Sequence, residues 1–174
     1  MRSNRISFCA AAIAVTLAGM AAPATRAEDI ITTHRLSAAL AAEAVAEAVA
    51  SCGKQGYRVS AVVLDTEGQT QAVLRGDGAA ASTLDTSHDK AYTVVMFGAG
   101  RNEDSTAVIA EQMGKNPNAV WLMKIPHILL LGGGLRIKAG NEAIAAIGVG
   151  GAPGGNLDEA CAKAGIDKIN GRLR

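Results

Sequence analysis

The hydrophobic pattern is clearest in residues 34–52, which are rich in alanine and contain no helix breaker before Gly53. At 100° per residue, Glu43 and Glu47 share one face of a helix, whereas the opposite face is apolar and includes Cys52. The pattern therefore predicts an amphipathic helix over this segment, with Cys52 directed into the core.

Alternation between apolar and polar side chains follows in residues 58–65 and 70–74, and a Thr-Glu-Gly turn separates the two runs. This arrangement predicts a β-hairpin. Helical spacing returns in residues 82–97 and in residues 105–113, where Ser105 is a suitable N-cap. Two further helices are predicted there.

Glycine and proline divide the second half of the chain. Residues 114–126 contain two prolines and are predicted to be irregular. Three short β-type runs separated by glycines predict a meander: residues 128–131, 135–138 and 143–149. A glycine-rich turn over residues 148–155 then leads to Asn156, a suitable N-cap for a last helix over residues 157–168.

The predicted element order is α-β-β-α-α-β-β-β-α. Strands joined by such short links must be mainly antiparallel. The economical architecture is an α/β (α+β) fold in which helices cover a five-stranded, mainly antiparallel sheet. The length of 174 residues corresponds to one domain.

The N-terminal segment, residues 1–27, has the pattern of a secretory signal peptide. Two arginines precede an uncharged apolar run, residues 6–22, that ends in small residues. Cleavage after Ala27 or Ala24 is expected, and in the first case it leaves a single domain over residues 28–174. A retained membrane anchor is the alternative, but the run is shorter than the ~20 apolar residues of a spanning helix. We therefore expect a periplasmic or secreted protein with no stable membrane span.

Composition narrows the classes of ligand. The formal net charge is +1 and no basic run is present, which argues against a nucleic-acid partner. Aromatic residues make up 3% of the chain, so a planar ligand must be held mainly by aliphatic walls. After signal cleavage only Cys52 and Cys161 remain, and they form either one disulfide or two buried free thiols.

Six short motifs occur in order along the chain. They are residues 59–65 with Gly68, residues 74–78, 90–93, 125–126, 132–134 and 147–159. In this order and spacing they resemble the GlcG/HbpS-like family, also called the haem-degrading or DUF336 family, which is related to the C-terminal domain of PduO. The resemblance implies an α/β sandwich whose first and last helices lie on one side of the sheet, with Cys52 near Cys161.

The resemblance also implies haem binding, which requires an apolar slot and an axial ligand to iron. His127, between Pro126 and Ile128, is the first candidate ligand, and an edge-strand histidine bonded to backbone is the alternative reading. His88 and His34 are the other candidate metal ligands. A solvated helix face is the alternative for His88, and free exposure is the alternative for His34. Asp85 lies one helical turn before His88, so these two residues are a second candidate metal pair.

Further candidates for the cofactor site surround these histidines in the sequence motifs. Tyr92 is expected to wall the pocket, and Arg75 and Lys90 are expected to pair with haem propionates or with another carboxylate. The turn that contains Gly150 and Gly151 leads into a helix start, so its amides form a candidate anion site. A tight turn without a ligand is the alternative for these glycines.

The sequence therefore predicts an exported, homo-oligomeric haem-binding protein with a role in haem or iron handling or in redox sensing. Haem-degrading or peroxidase-like activity stays open, and a corrinoid is a less favoured cofactor than haem. The alternative is an enzyme or accessory factor of a catabolic pathway that binds a small carboxylate or aromatic metabolite. In that case Arg75 and the glycine-turn amides clamp the anion.

Overall fold

Ten helices and strands make up the part of the chain described by the computed structural model, residues 31–173. The predicted signal peptide lies outside these residues. All ten elements belong to one unit that begins at Thr33. In chain order they are α1 (Ala38–Lys54), β1 (Ser60–Leu64), β2 (Thr70–Arg75), α2 (Ser82–Arg101), α3 (Thr106–Gly114), a 3₁₀ helix (Pro117–Lys124), β3 (Gly134–Ala139), β4 (Glu142–Gly150), α4 (Gly155–Ile169) and a short 3₁₀ helix (Asn170–Arg172).

The four strands form one antiparallel sheet in the order β2-β1-β4-β3. At its centre, Val62 of β1 pairs with Val73 of β2 on one side and with Gly148 of β4 on the other. The predicted hairpin is confirmed as β1 and β2, and the two later strands of the predicted meander are confirmed as β3 and β4. Every residue of β1 is buried, as expected for a strand covered on both faces.

The predicted fifth strand is wrong. Residues 128–131 form no strand, and the described part of the chain contributes four strands to the sheet. The backbone N–H of Leu129 instead donates to the hydroxyl of Thr93 on α2 (2.8 Å), and Leu131 N–H donates to the Leu129 carbonyl (2.9 Å). These local partners replace the strand ladder that the apolar run predicts.

Helices cover both faces of the sheet, because successive β1 residues point to opposite sides. Ala61 and Val63 belong to the core beneath α1 and α4, whereas Val62 and Leu64 belong to the core beneath α2 and α3. The first and last helices therefore lie on the same side, as the resemblance implies. A disulfide between Cys52 of α1 and Cys161 of α4 joins them, and both sulfurs are buried.

Two local predictions differ from the structure. Residues predicted to be irregular contain the 3₁₀ helix Pro117–Lys124, capped by the side chain of Asn116, which accepts a hydrogen bond from Asn118 N–H (2.9 Å). Helix α4 begins at Gly155 after the N-cap Gly154, so Asn156 is a helix residue and not the predicted cap. The predicted cap Ser105 is confirmed at the start of α3.

Within residues 31–173, no helix is both long enough and apolar enough to cross a membrane.

Candidate functional site

Helix α2 presents one histidine and one tyrosine from neighbouring turns. His88 and Tyr92 are four residues apart and therefore share a helix face. Their rings are stacked, with centroids 5.9 Å apart and planes inclined by 16°. The helix approaches the sheet closely at Gly148, where a Cβ atom would clash with the carbonyl oxygen of Ser87. This close packing fixes the height of the α2 side chains above β1 and β4.

His127 reaches α2 from the loop that follows the first 3₁₀ helix. Its φ of 66° lies in the left-handed region, which is uncommon for a residue other than glycine and occurs at functional sites. The loop is fastened nearby by Thr93, whose hydroxyl donates to the Asp89 carbonyl (2.7 Å) and accepts from Leu129 N–H. His127 therefore lies in a loop, and the alternative of an edge-strand histidine is wrong.

Asp89 links the two histidines. Its Oδ1 atom lies 3.0 Å from Nδ1 of His88 and 3.0 Å from Nδ1 of His127. Because a carboxylate oxygen only accepts hydrogen bonds, each imidazole donates from Nδ1 and keeps the lone pair of Nε2 available. The ring centroids of His88 and His127 are 5.1 Å apart, and Tyr92 lies 5.7 Å from His127. We call these four residues the histidine cluster.

His88, Asp89 and His127 of the histidine cluster line a pocket of about 600 Å³, which we call the histidine pocket. This volume is typical of small-molecule and cofactor sites, which range over roughly 300–1,000 Å³. Its apolar lining comes from strands β1 and β2 and from helix α2. The residues that line the pocket are Val62, Thr70, Val73, Leu84, Asp85, His88, Asp89 and His127.

The cluster also has the composition of a metal site. His88, Asp89 and His127 each offer one ligand atom, and these atoms lie within 4.8 Å of one another. Imidazole nitrogens suit iron, copper and zinc, and a neighbouring carboxylate either completes a site or orients its histidines. The arrangement can therefore bind a metal ion or the iron of a flat macrocycle.

Comparison with known proteins identifies the family. The family model described as "Haem degrading protein HbpS-like" matches residues 36–167. The chain belongs to the HbpS-like family.

Solved structures agree with this membership. A double mutant of HbpS from Streptomyces reticuli is 33% identical, with a TM-score of 0.73 over 91% of this chain and 97% of that one. A second HbpS structure is 35% identical, with a TM-score of 0.73 over 83% and 96% of the two chains. A PduOC:heme complex is 20% identical and shows the same fold, with a TM-score of 0.66 over 78% and 96%. No curated protein matches the chain significantly by sequence.

In this HbpS-like chain, the predicted site residues lie in several separate parts of the structure. His127, His88 and Tyr92 come together in the histidine cluster, but Tyr92, predicted to wall the pocket, is not among the residues that line it. Ile128 is buried, and neither it nor Pro126 is among the residues that line the histidine pocket. Asp85 lines the pocket, but the carboxylate grouped with His88 in the candidate metal cluster is that of Asp89, and not that of Asp85 as in the predicted metal pair.

Lys90 takes part in an internal ion pair. Its Nζ donates to Oδ2 of Asp158 (2.7 Å) and to the Val149 carbonyl (3.1 Å), and the two charged side chains are 6% and 3% exposed. Burial raises the pKa of Asp158, although hydrogen bonds from Lys90 and from Ala152 N–H act in the opposite direction. Lys90 therefore forms a structural ion pair inside the protein. It does not lie free for the predicted contact with a haem propionate.

The glycine-rich turn borders a separate recess of about 360 Å³, which Gly151 lines. Gly150, the last residue of β4, packs against Thr86 and Ser87 of α2. In the turn, Ala152 N–H already donates to Oδ1 of Asp158 (3.0 Å). The chain's own carboxylate thus already occupies one amide of the turn that was predicted to bind an anion.

The remaining two predicted residues lie elsewhere. Arg75 donates to the Ala79 carbonyl (2.7 Å) and so closes the loop between β2 and α2. His34 pairs with Glu142 (Nδ1 to Oε2, 2.8 Å) beside a different recess, and its side chain is 73% exposed. Neither residue lines the histidine pocket.

Asp89 is the residue of the candidate site that the sequence analysis did not predict. It follows His88 directly in the chain, and that adjacency was the available signal. Its contact with His127 spans 38 positions and depends on a loop conformation that no local pattern predicts.

Proposed function

We propose that this protein binds haem in the histidine pocket, with Nε2 of His127 as the axial ligand to iron. The observation that carries the proposal is the pair of hydrogen bonds to Asp89, which leaves two imidazole lone pairs beside an apolar pocket. Membership of the HbpS-like family and the haem complex of the related PduOC fold support it. Neither the family nor these relatives support a corrinoid.

The residues present fit a haem group. The walls contributed by Val62, Val73 and Leu84 are aliphatic, as a flat apolar macrocycle requires. Histidine is a common axial ligand of haem iron, and the bound group would supply redox-active iron.

The chain's own residues orient and tune the ligand. Acceptance of the Nδ1 proton by Asp89 fixes the imidazole tautomer and increases the basicity of Nε2. His127 is the more accessible imidazole, since its side chain is 58% exposed against 27% for His88. Tyr92 is stacked on the ring of His88, which lies deeper in the structure. These features favour His127 as the ligand and give His88 a supporting role.

A hemin titration of the purified chain tests the proposal. We expect a saturable Soret band at one haem per chain. His127→Ala should shift the band and weaken the affinity at least tenfold, whereas His34→Ala, a histidine beside another recess, should leave both unchanged. A wild-type spectrum identical to that of free hemin, or equal behaviour of the two variants, would contradict the proposal.

We further propose that the protein acts in haem or iron handling, or in redox sensing, outside the cytoplasm. The N-terminal signal pattern and the Cys52–Cys161 disulfide support export, because disulfides persist in oxidising compartments. N-terminal sequencing of envelope or secreted material should begin near Glu28. Recovery of the chain with Met1 intact would contradict export.

A further inference from the structure

The histidine pocket carries negative charge on its own side chains. Two of its lining residues are carboxylates, Asp85 and Asp89, and the lining contributed by residues 31–173 includes neither a lysine nor an arginine. Asp89 accepts hydrogen bonds from both imidazoles, but a histidine that ligates iron is neutral and does not cancel this charge. An anionic group that enters the pocket therefore meets two like charges and no cation.

Asp85 is the carboxylate of this pair that no cation balances. It lies in the first turn of α2 and is exposed to solvent. It takes part in none of the ion pairs within residues 31–173. The N-terminus of a helix attracts anions, and Asp85 already supplies a negative charge at this one. A second anion is therefore not favoured at the same end of α2.

The two cations that were predicted to meet the haem propionates have other partners. Arg75 donates to the Ala79 carbonyl, and Lys90 forms the buried pair with Asp158. Haem carries both of its propionates on one edge of the ring, whereas the opposite edge carries vinyl and methyl groups. Only this second edge matches a pocket that has aliphatic walls and carboxylates in its lining.

The pocket is open to solvent on one side. Val73, which belongs to its lining, is 53% exposed, and the side chain of His127 is 58% exposed. An edge of the macrocycle that faces this side stays hydrated. Because hydrated carboxylates need no partner from the protein, propionates on that edge are stable without a lysine or an arginine.

We propose that Asp85 selects the edge by which an iron porphyrin enters the histidine pocket, an inference that rests on the proposed haem site. The Asp85 carboxylate repels a propionate, and charges interact more strongly in a partly desolvated pocket than in water. Haem therefore enters by its carboxylate-free edge and keeps its propionates in solvent. An iron porphyrin that has carboxylates on every edge must place one of them beside Asp85, and so binds weakly.

Soret titrations with two iron porphyrins test this selection. The probes are hemin and iron coproporphyrin III, which carries a propionate on each of its four pyrrole rings. We expect the wild type to bind hemin more tightly by about tenfold or more. Asp85→Asn should tighten the binding of iron coproporphyrin III and leave that of hemin unchanged, so that the preference narrows. Asp77→Asn, which removes an exposed carboxylate beside another recess, should keep the wild-type preference.

Three outcomes would overturn the selection by Asp85 while a hemin Soret band still supports the haem site. They are equal wild-type affinities for the two porphyrins, a preference that Asp85→Asn leaves unchanged, and a preference that Asp77→Asn narrows equally. A wild type that binds neither porphyrin would instead contradict the haem site and this inference together. Circular dichroism of both variants should match the wild type, which excludes a loss of fold as the cause of any change.

Discussion

At the residue scale, Asp89 determines which ring nitrogen of His88 and of His127 carries the proton. Without it, either ring nitrogen of His88 or His127 could carry the proton. With Oδ1 accepting from both Nδ1 atoms, both Nε2 atoms are free to bind a metal. This carboxylate is therefore a positioning residue of the proposed haem site.

Replacement of Asp89 tests this role. Asp89→Asn removes the charge while keeping the shape, and we expect a hemin affinity lower by about 10–100-fold, the usual effect of losing such a partner. Thermal unfolding of the apoprotein should change little. Asp85→Asn is the matched control, because Asp85 lines the same pocket and is not the hydrogen-bond partner of either histidine Nδ1. Equal affinities for the two variants would contradict the assignment.

The buried pair of Lys90 and Asp158 is the second decisive contact at this scale. Lys90→Met leaves a buried carboxylate without its cation, and we expect a loss of about 3 kcal/mol in the free energy of unfolding at pH 7. The pKa of Asp158, already raised by burial, should rise further. In the folded variant, Asp158 keeps its proton to a higher pH than it does in the unfolded chain. The free energy of unfolding is therefore highest below the pKa of Asp158 in the unfolded chain, and it falls as pH rises toward the raised pKa of the folded state.

Urea denaturation at pH 7 and pH 4 measures this effect. The destabilisation of Lys90→Met relative to wild type should be larger at pH 7 than at pH 4. Lys163→Met breaks an exposed pair with Asp167 and should change stability by less than about 1 kcal/mol at either pH. A Lys90→Met penalty that is the same at both pH values would show that lost packing, not the unpaired charge, causes it.

At the scale of elements, the disulfide fastens the first helix to the last. Cys52 and Cys161 are 109 positions apart, so the bridge restricts a long loop of the unfolded chain. The chain-entropy treatment gives about 4–5 kcal/mol for a loop of this length. We expect the double variant Cys52→Ala/Cys161→Ala to lose about 4 kcal/mol in urea denaturation. Addition of reductant should destabilise the wild type and leave the variant unchanged, and equal sensitivity of the two would contradict the bridge.

Elements with strong local signals could be predicted from the sequence. The hairpin of β1 and β2 follows from alternation around a glycine turn, and α3 follows from helical spacing and the hydroxyl of Ser105. Residues 128–131 could not be predicted correctly, because a short apolar run fits a strand as well as it fits the loop that the structure shows. Their backbone partner is Thr93, a side chain on another element, and sequence pattern does not report such long-range competition.

At the scale of the whole molecule, the antiparallel sheet separates two layers of helices that have different features. The layer of α1 and α4 is fastened covalently, whereas the layer of α2 carries the histidine cluster. His127 and His88 could be named from the sequence as candidates, but their meeting could not. It depends on the left-handed φ of His127 and on Asp89, which joins residues 38 positions apart in the chain.

Resonance Raman spectroscopy of the ferrous haem complex tests most directly whether His127 coordinates the iron. The wild type and His34→Ala should both show an iron–histidine stretching band, and His127→Ala should lose it. A wild type without the band, or a band that persists in His127→Ala, would contradict coordination of haem by His127.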